Sequence, residues 1–202
     1  MSILKSIEVR TCVVSLMILV SSIIILSEVL FRNGLVFYGD LSFPITIERY
    51  SYAFLMPSPY PNTTFTYMIP FFALAYALRI SIEALAKLML LAGLFLTGFS
   101  TYLAVNKILK DLQYTKKTRI ALASLVASYF YMFNPWSMDR IGHYFIWTSY
   151  ALAPLVLLLA IKLTQQDKLN YKLIFVTSLV WSISSTSQFG ALSNTMLLFS
   201  WI

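Results

Sequence analysis

Long stretches without a charged residue are the feature that most constrains how this 202-residue chain can fold. The stretches without Asp, Glu, Lys or Arg include five apolar ones, each 17 to 30 residues long: 11–27, 88–106, 120–138, 144–161 and 173–202. A helix that crosses a lipid bilayer needs about 20 predominantly apolar residues. The pattern therefore predicts a protein that crosses a membrane several times.

The composition agrees with this prediction. The chain is 59% hydrophobic and 11% charged, whereas an average soluble domain is roughly a quarter charged. A water-soluble globule of this size could not cover so much apolar surface, which excludes a soluble enzyme and a disordered tail. With one cysteine, Cys12, and one histidine, His143, the chain has no intrachain disulfide and no multi-histidine metal or haem site.

We predict an all-α fold, a polytopic transmembrane helical bundle in a single domain. About five spans are expected, near residues 11–30, 87–106, 117–134, 144–162 and 172–189. A sixth span is expected to begin near the C-terminal end of the sequence. The first segment follows two basic residues, as in a signal peptide, but it is too long for that and no small-x-small cleavage site follows it. We interpret it as a retained helix.

The basic residues predict the orientation of the bundle. The net charge is +7, which in a soluble protein would suggest nucleic acid, but here we expect no nucleic-acid partner because basic residues accumulate in the cytoplasmic loops of membrane proteins. If 66–82 does not cross, the N-terminus and the loops 106–119 and 162–172 share one side, with ten of the 15 basic residues. If it crosses, the densest basic loop must be translocated. We therefore predict a cytoplasmic N-terminus, and an amphipathic or re-entrant juxtamembrane helix at 66–82 on the outside.

The first outer loop contains one candidate for chemistry, Asp40. Aromatic neighbours at the mouth of a membrane helix would partly desolvate its carboxylate, raise its pKa and make it a better general base. The same oxygens could hold a divalent cation. The alternative is an ordinary turn aspartate, since Gly-Asp is common in loops.

The second outer loop, with the sequence FNPWSMDRIGHY, concentrates polar residues. Pro135 should end the helix and disfavour helical geometry at Asn134. If a turn re-forms, Asp139, Arg140 and His143 would share one face. A guanidinium fork suits phosphate oxygens, and a histidine can donate a further hydrogen bond. The alternative is that Asp139 and Arg140 only cap a short loop.

Two further features concern packing. Gly93 and Gly98 are expected to permit a close approach between helices. The aromatic run at 130–133 is interpreted as lipid-facing or packing surface.

Several motifs, in this order along the chain, resemble a known family. They are Asp-Leu with a nearby Pro in the first outer loop, the aromatic stretch TYMIPFFALAYAL, a Leu-rich helix ending in a basic loop, and then Asn134-Pro135-Trp136, Asp139-Arg140, Gly142-His143, Tyr150 and Pro154. Over residues 10 to 190 the chain resembles the N-terminal part of the GT-C superfamily of membrane glycosyltransferases, and it is most similar to arabinofuranosyltransferase-like and archaeal members. It lacks the second acidic residue of several branches. Because family members have many more helices, we expect the chain to be the N-terminal portion of a larger module.

This resemblance implies an activity. Such enzymes transfer a sugar from a polyprenyl-phosphate carrier to a glycan or glycoprotein acceptor, on the outer face of the plasma membrane. By position, Asp40 would be the catalytic carboxylate of an inverting displacement. Arg140 and His143, with Asp139 and Asn134, would bind the lipid phosphate or the substrate.

Two other functions stay open. A transporter or flippase component would use Asp139, Arg140 and His143 to line a substrate path, but transporters place charged or broken-helix elements near the bilayer midplane. In this sequence the charges lie at the ends of spans. The other alternative is a non-catalytic membrane scaffold whose outer loops bind partners.

Overall fold

The computed structural model describes residues 9–34, 69–114, 116–139 and 144–185, and all regular structure in these ranges is helical. This confirms the predicted all-α class for the described residues. The expected sixth span lies outside them. The described helices are α1 Val9–Ile25, α2 Ser27–Phe31, α3 Ile69–Ala77, α4 Ile82–Asp111, α5 Lys117–Phe133, α6 Pro135–Asp139, α7 Tyr144–Thr164 and α8 Tyr171–Ser184.

Two of these helices are long and apolar enough to cross a membrane. They are α4, with 30 residues, and the part of α7 from Trp147 to Thr164. The helices α1 and α8 are apolar but shorter, and α5 has 17 residues and begins with Lys117. Each of the five predicted segments is mainly helical over its described residues, and the crossing of the bilayer by these helices stays a prediction.

The first segment is divided, where the sequence predicts one helix over 11–30. Helix α1 ends at Ile25, and Leu26 (φ −86°, ψ 5°) forms a turn before α2 begins. The backbone N–H of Val29 bonds to the Leu26 carbonyl at 2.9 Å, an i to i+3 bond that tightens the chain at this point.

Helix α4 is the centre of the bundle, with α1, α5 and α7 packed against it and α8 packed on α7. Helices α4 and α7 run in the same direction, because Gly93 lies beside Trp147 and Lys107 bonds to Gln165. Helix α8 runs back along α7, where Ser184 Oγ donates to the Ser149 carbonyl at 3.3 Å.

At both glycines of α4, side chains of other helices lie in the space that a Cβ would need. A Cβ added at Gly93 would lie 2.5 Å from the Trp147 ring. A Cβ at Gly98 would collide with Met132 of α5 and lie 2.9 Å from Ile18 of α1. Real Cβ contacts are not this short, so α7 at Gly93, and α1 and α5 at Gly98, pack against α4 where the missing Cβ leaves room for their side chains.

The interior of the bundle contains small hydroxyl side chains as well as apolar ones. The buried polar residues among those described are Ser22, Thr97, Ser100, Thr101, Ser124, Ser128, Ser137, Ser149 and Ser184. Most of these hydroxyls bond to a carbonyl four residues earlier in the same helix; Ser124 Oγ, for example, donates to the Ile120 carbonyl at 2.8 Å. Helices in membranes use such residues at their interfaces because these residues let the backbones approach closely.

Helix α5 shows the polarity of the bundle most clearly. Its buried positions follow a four-residue spacing that includes Ser124 and Ser128, both 0% exposed. On the other side, Leu122, Val126 and Phe130 repeat at the same spacing and are 61%, 46% and 76% exposed. A surface helix of a water-soluble protein has the reverse arrangement, with its apolar stripe inside and its polar face outside.

Candidate functional site

The charged residues of the described chain segregate to the two ends of the bundle. One end, which we name the basic end, has two acidic residues, Asp111 and Asp167. Its basic residues are Arg10, Lys107, Lys110, Lys116, Lys117, Arg119, Lys162, Lys168 and Lys172. The opposite end, which we name the site end, has both signs within the described ranges: Glu28, Arg32, Arg79, Glu83, Lys87 and Asp139.

At the basic end a charged cluster joins α4 to the residue that follows α7. Lys107 Nζ donates to both carboxylate oxygens of Asp111 at 2.5 Å and to Gln165 Oε1 at 2.6 Å, and Gln165 Nε2 donates to Asp111 at 2.9 Å. Asp111 lies beyond the uncharged stretch 88–106, and the hydrogen bonds from Lys107 and then Gln165 lower the pKa of its carboxyl.

At the site end, a second cluster joins the first helical segment to the start of α4. The backbone N–H of Gly34 donates to Glu83 Oε1 at 3.0 Å, and Lys87 Nζ donates to the same oxygen at 2.6 Å and also to the Arg32 carbonyl. Gly34 has φ +117°, which only glycine adopts readily. The hydrogen bond from Lys87, followed by that from Gly34, lowers the pKa of Glu83.

This cluster brings together the two ends of the interval in which the sequence predicts the first outer loop. Gly34 and Glu83 lie at the same end of the bundle, so the chain between them leaves and returns on one side. The described part of helix α3, in that interval, has nine residues and is about 14 Å long, whereas a hydrocarbon core is about 30 Å thick. Its residues are apolar all round, so it lacks the polar face of an amphipathic helix, and a re-entrant position for it stays a prediction.

Asn134 is fixed inside the fold at the site end. Its backbone is extended (φ −69°, ψ 152°) and α5 ends one residue earlier, as Pro135 predicts. Asn134 Oδ1 accepts from the Ser137 backbone N–H at 2.9 Å and so caps α6. Its Nδ2 donates to the Tyr131 carbonyl at 2.8 Å and to Tyr150 Oη at 2.7 Å. This geometry gives Asn134 a structural role, and its contact with substrate stays a prediction.

Two tyrosines complete this cluster, which we name the Asn134–tyrosine cluster. The rings of Tyr131 and Tyr150 stack with centroids 4.1 Å apart and planes 4° from parallel. Tyr131 Oη donates to the Tyr150 carbonyl at 3.0 Å, and Tyr150 Oη donates to the Tyr131 carbonyl at 2.9 Å. The sequence interpretation missed this pair, because it assigned 130–133 to lipid contact or packing. The sequence does contain one relevant signal, since Asn directly before Pro is typical of the capped start of a helix.

The remaining predicted site residues lie at or beyond the limits of the described chain. Asp139 is the last residue of α6, whereas Asp40, Arg140 and His143 lie outside the described residues. The stretch that contains Asp40 follows Gly34, and the stretch that contains Arg140 and His143 joins α6 to α7. Both stretches start at the site end. Within the described ranges, no three His, Cys, Asp or Glu side chains come together as a metal site.

Ser137, near this loop, is a buried polar residue whose hydroxyl has no hydrogen-bond partner among the described residues. Its side chain is 0% exposed, and Oγ is unpaired. It lies on α6 between the Asn134 cap and Asp139.

Comparisons of the chain with models of known protein families, with curated proteins and with solved structures found no match. The resemblance to membrane glycosyltransferases therefore depends on the motif residues alone, and function must be argued from the geometry of the site rather than from the fold.

Proposed function

We propose that this chain is an integral protein of the plasma membrane, with its basic end in the cytoplasm and its site end outside. The observation that carries this proposal is the polarity of α5, where serines face the bundle and large apolar side chains face outward. The same outward exposure occurs at Leu16 and Ile24 of α1 and at Phe175 of α8. Soluble monomers rarely expose contiguous apolar faces of this extent.

The charge distribution supports the orientation. Nine of the described basic residues lie at one end of the bundle, beside two acidic residues. Lys and Arg accumulate on the cytoplasmic side of membrane proteins, so the basic end is placed in the cytoplasm.

The proposed activity is the transfer of a sugar from a polyprenyl-phosphate donor to a glycan or glycoprotein acceptor outside the membrane. This activity is supported by the position of the two loops that contain the candidate residues, because both loops start at the same end of the bundle. Asp40 follows Gly34 by six residues, and Arg140 and His143 connect α6 to α7. Because both loops start at the site end, one lipid-borne substrate at that interface could meet residues from both.

In the proposed reaction the Asp40 carboxylate accepts the proton of the acceptor hydroxyl. The hydroxyl oxygen attacks the anomeric carbon of the donor sugar as the bond from that carbon to the phosphate oxygen breaks. The electron pair leaves with the polyprenyl phosphate, and the configuration at the anomeric carbon inverts. Arg140 and His143 stabilise the charge that develops on the departing phosphate.

The test uses the protein in proteoliposomes that contain polyprenyl-phosphate-linked sugars and a glycan acceptor. Asp40→Asn should lower the rate of transfer at least about 100-fold, since general-base catalysis contributes about 10²–10⁴-fold. Glu28→Gln is the matched control, because Glu28 is also an acidic residue of the site end and its side chain is 83% exposed. Unchanged transfer by the Asp40 variant would remove the proposed base, and no transfer by the unaltered protein with any donor tested would refute the activity.

A further inference from the structure

A cavity opens at the basic end, between the end of α4 and the start of α5. Its volume is about 470 Å³, and it is lined by Leu109, Tyr114, Lys116, Arg119, Ile120 and Ala123. This cavity is on the opposite side of the bundle from the loops of the proposed reaction, so that reaction does not account for it.

The α4 wall of the cavity is built by the way that helix ends. Gln113 adopts φ +60°, and the N–H of Tyr114 bonds to the Leu109 carbonyl at 3.2 Å while the N–H of Gln113 bonds to the Lys110 carbonyl at 3.0 Å. These two bonds define a Schellman motif. The motif turns the chain back towards α4. Tyr114 therefore lines the same wall of the cavity as Leu109.

The α5 wall has an unusual charge arrangement. The first turn of α5 contains no acidic residue, and the side chain of the N-cap residue Lys116 makes no cap hydrogen bond. The N-cap and the first three residues of the helix include three basic residues: Lys116, Lys117 and Arg119. Cations at the N-terminus of a helix oppose its dipole. Within the described chain, no carboxylate forms an ion pair with Lys116 or Arg119. An anion bound between these two side chains would relieve this repulsion and would lie at the positive end of the helix dipole.

An apolar path leaves the cavity along the outside of α5. Arg119, Ala123, Val126 and Phe130 follow one another at intervals of three or four residues, so they lie on one stripe of the helix. All four are exposed. The cavity therefore combines a cationic mouth at the helix terminus with an apolar stripe that runs from it toward the site end.

We infer that the cavity binds an anionic phospholipid of the cytoplasmic leaflet, with its phosphate between Lys116 and Arg119 and an acyl chain along Ala123, Val126 and Phe130. Basic pockets between membrane helices on the cytoplasmic side suit such head groups. A free phosphate ion would use the cations but not the stripe, and a neutral lipid would use the stripe but not the cations. The inference rests on the membrane location proposed above and is independent of sugar transfer.

The experiment measures lipid binding by native mass spectrometry of the purified chain in detergent. Phosphatidylglycerol and phosphatidylcholine with the same acyl chains are titrated separately, and inorganic phosphate is added as a competitor. Wild-type protein should retain phosphatidylglycerol in preference to phosphatidylcholine. The double variant Lys116→Gln/Arg119→Gln should bind phosphatidylglycerol about 30-fold more weakly, from the usual contribution of two basic residues near an anionic surface.

Two further variants separate the parts of the site. Lys168→Gln/Lys172→Gln removes the same charge from the same end outside the cavity, and should leave the affinity within about twofold. Ala123→Trp fills part of the cavity without changing its charge. This variant should bind phosphatidylglycerol about tenfold more weakly, as expected when the acyl chain loses the apolar contact of about two methylene groups. Circular dichroism checks that each variant stays helical.

Three results would overturn the inference: equal affinity for the two lipids, the same loss in the Lys168/Lys172 control as in the cavity variant, or complete displacement of phosphatidylglycerol by millimolar phosphate. Flotation with liposomes tests the membrane location separately. A chain that fails to float with liposomes would refute both proposals, whereas one that floats without lipid preference would refute only this one.

Discussion

The contacts that α7 makes at the two ends of the bundle differ in their chemistry. At the basic end, the exposed groups of Lys107, Asp111 and Gln165 join α4 to α7 through charged hydrogen bonds. At the site end, Asn134 and the stacked tyrosines join α5 to α7 through neutral, partly buried hydrogen bonds. Exposed ion pairs contribute little to stability, whereas buried polar groups are costly when they lose a partner.

From this difference in chemistry we expect the two ends to have separate roles. The charges of the basic end are suited to setting which way the chain inserts, since the count of Lys and Arg near the spans decides topology. The Asn134–tyrosine cluster is suited to holding the base of a loop in one geometry, because each of its groups has a fixed partner. Substitutions at one end should therefore change orientation, and substitutions at the other should change stability.

The largest expected effect is on orientation. Replacing Lys110, Lys116, Lys117 and Arg119 by Gln removes most of the positive charge of one loop, so the chain should insert in both directions. In a Cys12→Ala background, a cysteine introduced at Gln166 reports this change. It should resist a membrane-impermeant thiol reagent applied to intact cells in the parent protein, and react in a substantial fraction of the quadruple variant.

The matched control removes basic residues from the site end. Arg32→Gln with Arg79→Gln increases the asymmetry between the ends and should leave the orientation unchanged. If the quadruple variant keeps a single orientation, the basic end does not set the topology.

The next effect compares two asparagines that cap helices at opposite ends. Asn134→Ala removes a cap and two further hydrogen bonds, one of them to another helix, and should lower the free energy of unfolding by about 2–3 kcal/mol. Asn170 only caps α8, by accepting from the Leu173 N–H at 3.1 Å, so Asn170→Ala should cost about 1 kcal/mol. Unfolding in mixed detergent micelles measures both, and equal losses would contradict the assigned role of the Asn134–tyrosine cluster.

The smallest expected effect concerns a feature that both ends share. Arg79 after α3 (φ 55°) and Gln113 after α4 (φ 60°) both adopt the left-handed conformation. Glycine adopts this conformation without steric cost, so Arg79→Gly and Gln113→Gly should each stabilise the fold by about 0.5–1 kcal/mol.

A neighbouring position provides the control for these glycine substitutions. Leu112 has φ −75°, so Leu112→Gly should destabilise the same turn. Thermal unfolding in detergent compares the three variants. A gain at only one end would mean that the two turns are under different strain.

Much of the helical framework could be predicted from the sequence, because a long apolar stretch without charged residues can be buried among apolar groups and is typical of a membrane helix. The same reasoning predicted the role of Gly93 and Gly98 and the end of α5 before Pro135. The turn at Leu26 could not be predicted, since no Gly or Pro marks it and its cause is a local i to i+3 bond.

The candidate site could be predicted less completely. That Asn134 caps a helix follows from Asn-Pro alone, but its bond to Tyr150 does not. The pairing of Tyr131 with Tyr150 depends on the depth at which α5 and α7 lie beside each other, which no local pattern encodes. The roles of Asp40, Arg140 and His143 depend on loop geometry and stay predictions.

The convergence at Gly98 has a consequence for the order of assembly. Helix α1 precedes α4 and α5 in the chain, yet it packs against Gly98 and Met132 and against Tyr129, whose hydroxyl lies 3.0 Å from Ser21 Oγ. These contacts can form only after α5, which ends at Phe133, has been synthesised. Ser22, on the buried face of α1, needs no hydrogen-bond partner from a later helix, because its hydroxyl bonds to the Ile18 carbonyl at 2.8 Å. Helix α1 is thus made before the two helices against which it packs.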